Sequence, residues 1–209
     1  EVLVTDDGST DHTREIVAEY ETKYPGSFKL IAQKNAGPGS TVNSGIAHAT
    51  GKYFRMVDGD DWVNTSEMPA FLDYLESHDI DMVCTSYCCV DHETGKKKLE
   101  MLQRPVMDKE LTFNQSVEDL SLAMHNVTYK TSILKDNGIK LDNGFYTDLE
   151  YLLFPTPYIR TVVFLSQTIY MYRVSLSTQS MNIHSLQKHV TMHRDVLNHL
   201  LTKYEAYHM

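Results

Sequence analysis

From Glu1 to Val90 the chain alternates short apolar runs with segments of helical periodicity, and no other feature constrains its fold as strongly. EVLVT (1–5), FKLIAQ (28–33), KYFRMV (52–57) and IDMVCTSYCCV (80–90) read as strands. Helical spacing fills the intervals: from about Asp11 to Tyr24, after Pro38, and over 66–77. Strands that alternate with helices build a parallel sheet covered on both faces, so the class is α/β, Rossmann-like, with a mostly parallel sheet flanked by helices. In the first helix Ile16, Val17, Tyr20 and Tyr24 share one face, Asp11 is the expected N-cap and YPG the stop. In the second, Val42, Ile46 and Ala49 point inward.

Two acidic turns close strands at the carboxyl edge, where such sheets bind ligands. DDGSTD (6–11) follows the first strand and DGDD (58–61) the third, which brings Asp6, Asp7, Asp58, Asp60 and Asp61 to one rim. Like charges at that spacing repel unless something neutralises them. One reading of DGDD is a site for Mn2+ or Mg2+, hard cations that carboxylates and substrate phosphates hold together, with Gly59 letting the chain bend closely around the ion. The other is a strand-end turn with an N-cap. DDGSTD carries the same pair of readings, because Gly8, Ser9, Thr10 and Asp11 are all turn formers.

The net charge of −9 argues against nucleic acid or an anionic membrane held by bulk electrostatics. No apolar run is long enough to span a bilayer and no signal-peptide pattern is present. Cys84, Cys88 and Cys89 crowd one apolar strand, which reads as core packing in a reducing cytosol. His189 and His193 stand four apart without a third ligand and read as a solvated helix face. The chain opens at Glu1 already inside a strand pattern, so an upstream strand and helix are expected to be missing.

Taken in order, DDGSTD (6–11), NAGPGSTVNSGIAHATGKYF (35–54), VDGDDW (57–62), YTDLEY (146–151) and YMYR (170–173) resemble the family 2 glycosyltransferases of the GT-A fold. The resemblance spans most of the chain. It implies an inverting, metal-dependent transfer from a nucleotide-sugar, UDP-sugar by default, to a hydroxyl of a glycan or lipid-linked acceptor in surface polysaccharide synthesis. It implies that Asp60 ligates the metal, with Asp58 near the ribose or the metal and Asp61 supporting. Asp6, Asp7, Asn35 and Asn43 fall where the family contacts the nucleotide. Asp148 falls where it carries the general base, although Thr147 replaces the usual Glu, and an N-cap is the plain alternative. Arg173 is expected at the diphosphate or in an ordinary salt bridge. Val42 stands where many members have a cation, which leaves Lys34 or Arg55 as substitutes.

The division expected from these motifs is a nucleotide-sugar half (1–90), an acceptor-side half with the base (91–184) and an amphipathic terminal helix (185–209). In the second half a hairpin is expected around Thr94–Gly95, helices over 114–124 and 131–137, and strands at 161–166 and 168–174. The terminal helix aligns Leu186, Val190, Leu197, Leu200, Leu201 and Tyr204, a stripe that leaves peripheral membrane association or a homodimer open. The expected location is cytoplasmic, at the inner membrane face if it docks there. A non-catalytic nucleotide-sugar or glycan-binding module is the competing function. An Mg2+-dependent phosphate-accepting signalling domain also has acidic strand ends, but it leaves residues 125–209 unexplained.

Overall fold

A computed structural model describes residues 1–102, 104, 106–116, 122–144, 146–176, 187 and 190–208. β1 (Val2–Asp6), α1 (Thr13–Lys23) and β2 (Phe28–Ala32) form a parallel two-stranded unit. α2 (Pro38–His48) leads to β3 (Tyr53–Phe54), β4 (Trp62–Val63), α3 (Met68–Ser77) and the long β5 (Met82–Asp91). β6 (Lys97–Glu100), β7 (Leu111–Thr112), α4 (Phe113–Ser116), β8 (Val127–Lys130), α5 (Thr131–Asp136), α6 (Thr147–Leu153), β9 (Thr161–Val174) and α7 (Val190–His208) follow.

The main sheet runs β3-β8-β5-β9-β4, with β6 on β5 and β7 on β9. The α/β reading holds, and the sheet is mixed: β1–β2 and β5–β9 are parallel, whereas β8 returns antiparallel between β3 and β5. Central strands have to be apolar on both faces, and β5 and β9 are. Met82, Cys84, Val162 and Phe164 enter one buried cluster with Val127, Tyr129 and Tyr151. Their alternates Val83, Val163 and Leu165 enter a second with Phe71 and Leu75 of α3. That period-two split puts the cysteines Cys84 and Cys88 in the core, as expected, and burial pushes the Cys84 thiol up to about 12.

Several sequence expectations shift. The two strands expected at 161–174 are one, β9, whose register against β5 slips between Cys84 and Tyr87, so the pairing absorbs extra β9 residues as a bulge would. Only Tyr53–Phe54 of KYFRMV joins a ladder. The hairpin forms, with Asp91 Oδ1 accepting from the Thr94 N–H and hydroxyl and Gly95 at φ +66°. Of the helix expected at 114–124, residues 117–121 lie outside the described residues; 131–137 is helical as α5. His12, not Asp11, occupies the N-cap of α1, and Asp11 instead accepts from the Thr13 N–H and hydroxyl one position on. Only Val17 of the α1 face is buried, because a two-stranded sheet offers little to cover; Tyr20 and Tyr24 lie on the Phe28 ring instead.

The terminal helix also turns a different side inward. Val190, Leu197, Leu201 and Tyr204 are exposed, while Val196 and Leu200 pack. Polar partners on the facing segment set that rotation: His199 Nδ1 donates to Asp142 Oδ2 (2.7 Å) and Glu150 Oε1 (3.1 Å), and the His193 ring lies 4.3 Å from that of Tyr146. Leu186 and His189 lie outside the described residues.

One loop decides how the two halves meet. Both ends of the Asn43 amide bond the Leu141 peptide, Nδ2 donating to its oxygen (2.8 Å) and Oδ1 accepting from its N–H (2.9 Å). Gly39 lets α2 approach the next residue so closely that an added Cβ would lie 1.9 Å from the Asp142 carbonyl oxygen. Helix propensity favours alanine over glycine by about 1 kcal/mol, whereas forcing atoms into packed backbone costs about 1–3 kcal/mol. Gly39→Ala is therefore expected to lower the denaturant midpoint and Tm. An unchanged or higher midpoint would mean that loop 141–144 does not rest on α2.

Candidate active site

The acidic turn between β3 and β4 is held against its own charge by β9. The Tyr170 hydroxyl accepts from the Asp58 N–H (3.1 Å) and donates to Asp61 Oδ2 (2.6 Å), and the Arg173 N–H donates to Asp61 Oδ1 (2.7 Å). Burial and the adjacent carboxylates push the Tyr170 phenol far up, so it remains a donor. Asp61 thus anchors the turn to β9. The Arg173 guanidinium lies 5.2 Å from the Trp62 ring centre, at the same edge.

Asp58 is pushed up to about 6, by burial first and then by the charges of Asp61, Asp60 and Asp148. Asp148 therefore lies near enough to feel this turn, although ninety residues separate them in sequence. It sits in the first turn of α6, where burial raises its carboxyl as well. Tyr146, not Asp148, occupies the N-cap position. Asp58, Asp60 and Asp148 all keep solvent access, so a ligand can reach each of them.

Asp6 and Asp7 turn their carboxylates to the protein. Asp6 is buried and accepts from the Ser9 N–H (3.0 Å) and from Arg14 Nε, which lower its carboxyl. Asp7 accepts from Gln33 Nε2 (2.7 Å), the Ala36 N–H (3.0 Å) and the Gly37 N–H (2.9 Å), and so shapes the loop that carries Asn35. Asn35 and Lys34 are exposed on that loop. Asn43 bonds Leu141 at both ends of its amide, which ties α2 to the loop before α6 and leaves one Nδ2 hydrogen and one Oδ1 lone pair over. Arg55 is not the substitute cation: its guanidinium points inward to Thr128 Oγ1 (2.8 Å) and the His125 carbonyl, and burial lowers it to about 10.

Three residues were not singled out from the sequence. Tyr170 lies inside the quoted YMYR, where attention falls on Tyr172 and Arg173. Glu150 resembles an ordinary first-turn acid, yet its side chain is fully buried, accepting from the Asp142 N–H (2.6 Å) and holding His199. His125 has no motif around it; β8 and Arg55 bring its ring to Asp58 and Asp61, one ligand atom of each lying within 4.8 Å of the others. Tyr87, which packs on His125, also lines a cavity of about 370 Å3 together with Glu100, Leu102, Arg104 and Asn126 among others.

This arrangement has known counterparts. EpsH of Bacillus subtilis, named as a glycosyltransferase, is 26% identical over 188 residues, 85% of this chain and 53% of EpsH. The poly(ribitol-phosphate) beta-N-acetylglucosaminyltransferase TarS of Staphylococcus aureus is 28% identical over 139 residues, covering 66% of this chain and 23% of TarS. The crystal structure of TarS with UDP superposes with a TM-score of 0.65 at 25% identity, over 84% of this chain and 51% of that one. The UDP-GlcNAc complex gives 0.65 at 26%, over 85% and 50%. The chain thus spans about half the length of EpsH and less of TarS. Its architecture is that of these GT-A enzymes. Residues 1–138 match the profile of Glycosyl transferase family 2, and the chain belongs to that family.

Proposed function

We propose that this chain is the catalytic region of an inverting glycosyltransferase. It moves a hexosyl or N-acetylhexosaminyl group from a nucleotide-sugar, UDP-linked by default, to a hydroxyl of a glycan or lipid-linked acceptor in surface polysaccharide synthesis. The observation that carries this reading is that the Asp148 charge reaches the Asp58 carboxyl, which pairs a carboxylate suited to proton abstraction with a cluster suited to a diphosphate. The UDP and UDP-GlcNAc complexes of TarS support the choice of donor.

The residues fit a divalent cation. Burial and the charges of Asp61, Asp60 and Asp148 all raise the Asp58 carboxyl, so negative charge gathers at this end of the turn. Asp60 and Asp58 would hold Mn2+ or Mg2+ here, and the ion would supply the positive charge that a departing diphosphate needs. Asp148 takes the proton from the acceptor hydroxyl while that oxygen bonds the anomeric carbon and the bond to the diphosphate breaks. A carboxyl raised above its ordinary value is a better base for this step than an unshifted one. Asp7 fixes the loop that brings Asn35 to the nucleotide, Asp6 fixes the turn before it, and Arg173 completes the diphosphate end from β9. Asn43 acts on Asp148 through the Leu141 loop. The cavity beside Tyr87 is the space for the acceptor. In this scheme residues 1–90 hold the donor, 91–184 bring the base and acceptor side, and α7 braces α6. Among the described residues no helix is long and apolar enough to cross a membrane; we place the chain at the cytoplasmic membrane face, where a lipid-linked acceptor is presented.

Calorimetric titration with UDP, GDP, CMP and dTDP, each with and without Mn2+, tests the donor site. One nucleotide is expected to bind in a metal-dependent manner that Asp60→Ala abolishes. Binding of none of them would remove the reading. Asp148→Asn is expected to lower turnover by about 10²–10⁴-fold with nucleotide affinity unchanged. Nucleotide binding with full indifference of turnover to Asp148→Asn would take the base role away from that residue, and binding without any turnover would leave a binding module.

Asp58 gives a separate prediction for the metal-free chain. Its carboxyl is raised to about 6 from an ordinary 3.8, so between those values the folded state holds a proton that the unfolded state has released. Stability from this group therefore falls as pH rises through that window. Asp58→Asn is expected to raise the metal-free Tm at pH 7 and to leave it unchanged near pH 4. An equal or lower Tm at pH 7 would show that the turn is not strained by its own charge.

A further inference from the structure

We propose that His125 is a nitrogen ligand for the divalent ion at the Asp58–Asp61 turn, so that this site prefers Mn2+ to Mg2+. The inference rests on the metal-dependent reading above and adds to it a residue that no motif marks.

A ring nitrogen of His125 and one carboxylate oxygen each of Asp58 and Asp61 lie within 4.8 Å of one another. No hydrogen bond joins the imidazole to either carboxylate among the described residues, so the three groups face a common space without closing it. Ligands about 2.1 Å from one octahedral ion stand about 3.0 Å apart when adjacent and about 4.2 Å when opposite. The spacing found here is close to that needed: Asp61, held by Tyr170 and the Arg173 N–H, marks the edge of the space, and a rotamer change of Asp58 would bring its oxygen and the imidazole nitrogen onto one ion.

The imidazole is also held in place. Its ring centre lies 4.3 Å from that of Tyr172, 4.6 Å from Tyr170 and 5.1 Å from Tyr87, which fixes the plane on three sides. The Arg55 guanidinium bonds the His125 carbonyl, and Arg55 belongs to the segment that runs into the acidic turn. A single strand-end thus carries both the carboxylates and the residue that fixes the histidine. His125 Nδ1 is enclosed and has no hydrogen-bond partner among the described residues. A histidine kept only for packing would be an odd choice here, since a phenylalanine fills the same aromatic box without an unsatisfied nitrogen.

Ligand chemistry sets the preference. Mg2+ favours an all-oxygen shell and gives up water reluctantly, whereas Mn2+ lies on the first-row series that accepts imidazole. One nitrogen donor beside carboxylates tilts the site toward Mn2+ without excluding Mg2+.

The test is pulsed electron paramagnetic resonance on the chain loaded with Mn2+, unlabelled and with histidine uniformly labelled with 15N, alongside metal affinities by calorimetry. The expected result is a histidine-nitrogen coupling that is lost in His125→Phe, which retains the ring stacking, and is kept in His199→Phe, which disrupts the only other His-carboxylate cluster among the described residues. Mn2+ affinity is expected to fall by about tenfold or more in His125→Phe, with a smaller change for Mg2+. Bound Mn2+ that depends on Asp60 but shows no nitrogen coupling, or a coupling indifferent to His125→Phe, overturns the inference and leaves the metal-dependent reading standing. Absence of any Mn2+ binding to the unaltered chain overturns both. Because the coupling is read on the unaltered protein, a variant that fails to fold does not remove the test.

Discussion

The Tyr170 hydroxyl is the contact on which the site depends. A turn with Asp58, Asp60 and Asp61 in four positions would spread if left to its own charges. One phenol, accepting from the Asp58 N–H and donating to Asp61, fastens both ends of that turn to β9. β9 pairs with β5 over nearly its whole length, so the turn inherits the rigidity of the most buried ladder in the molecule. With Asp61 consumed in that role, Asp58 and Asp60 are the carboxylates of the turn left to act on a ligand. The same β9 segment carries Arg173 and Tyr172, which places a guanidinium and an aromatic wall at the edge of the acidic turn with no further device.

The α/β class and the acidic edge were legible in the sequence because they rest on local patterns. Strand runs, helical spacing, Pro38 at a helix start and Gly95 in a hairpin all act within a few residues. What the sequence did not disclose depends on long-range pairing. Asn43 lies in a motif associated with nucleotide binding, yet its partner is Leu141, 98 positions away. Arg55 reads as a cation near the acidic rim, and only the return of β8 beside β3 shows that it faces Thr128 and His125. The side of the terminal helix that packs could not be chosen from hydrophobicity either. Val190, Leu197, Leu201 and Tyr204 form the more apolar stripe, but Asp142 and Glu150 on the facing surface recruit His199, and the helix turns to meet them.

Glu150 explains why polarity wins over apolar area there. A fully buried carboxylate is costly unless its oxygens are bonded, and two groups bond it: the Asp142 N–H at one oxygen and His199 at the other. Rotating the helix to bury Leu197 or Leu201 would free the histidine and leave one oxygen unsatisfied, a loss of about 1–3 kcal/mol or more for a charged group. That is comparable with the gain from burying one leucine side chain, about 1.5–3 kcal/mol. The polar contact needs no rearrangement of the core, and Val196 and Leu200 already supply apolar cover on the packed side.

These tethers bear on the proposed chemistry because an in-line displacement would require its two ends at a fixed separation. The acidic turn is set by β9 through Tyr170. The Asp148 end is set by loop 141–144, which α2 holds through Asn43 and the close approach at Gly39, and which Glu150 holds from within α6 itself. Neither end is positioned by the loop it sits on. Each is positioned by a side chain rooted in a regular element, Tyr170 of β9, Asn43 of α2 and Glu150 of α6, that bonds a backbone group of the loop. In the proposed reaction, substitutions at Gly39 or Asn43 would therefore act from a distance, by moving the loop that leads into α6 and Asp148.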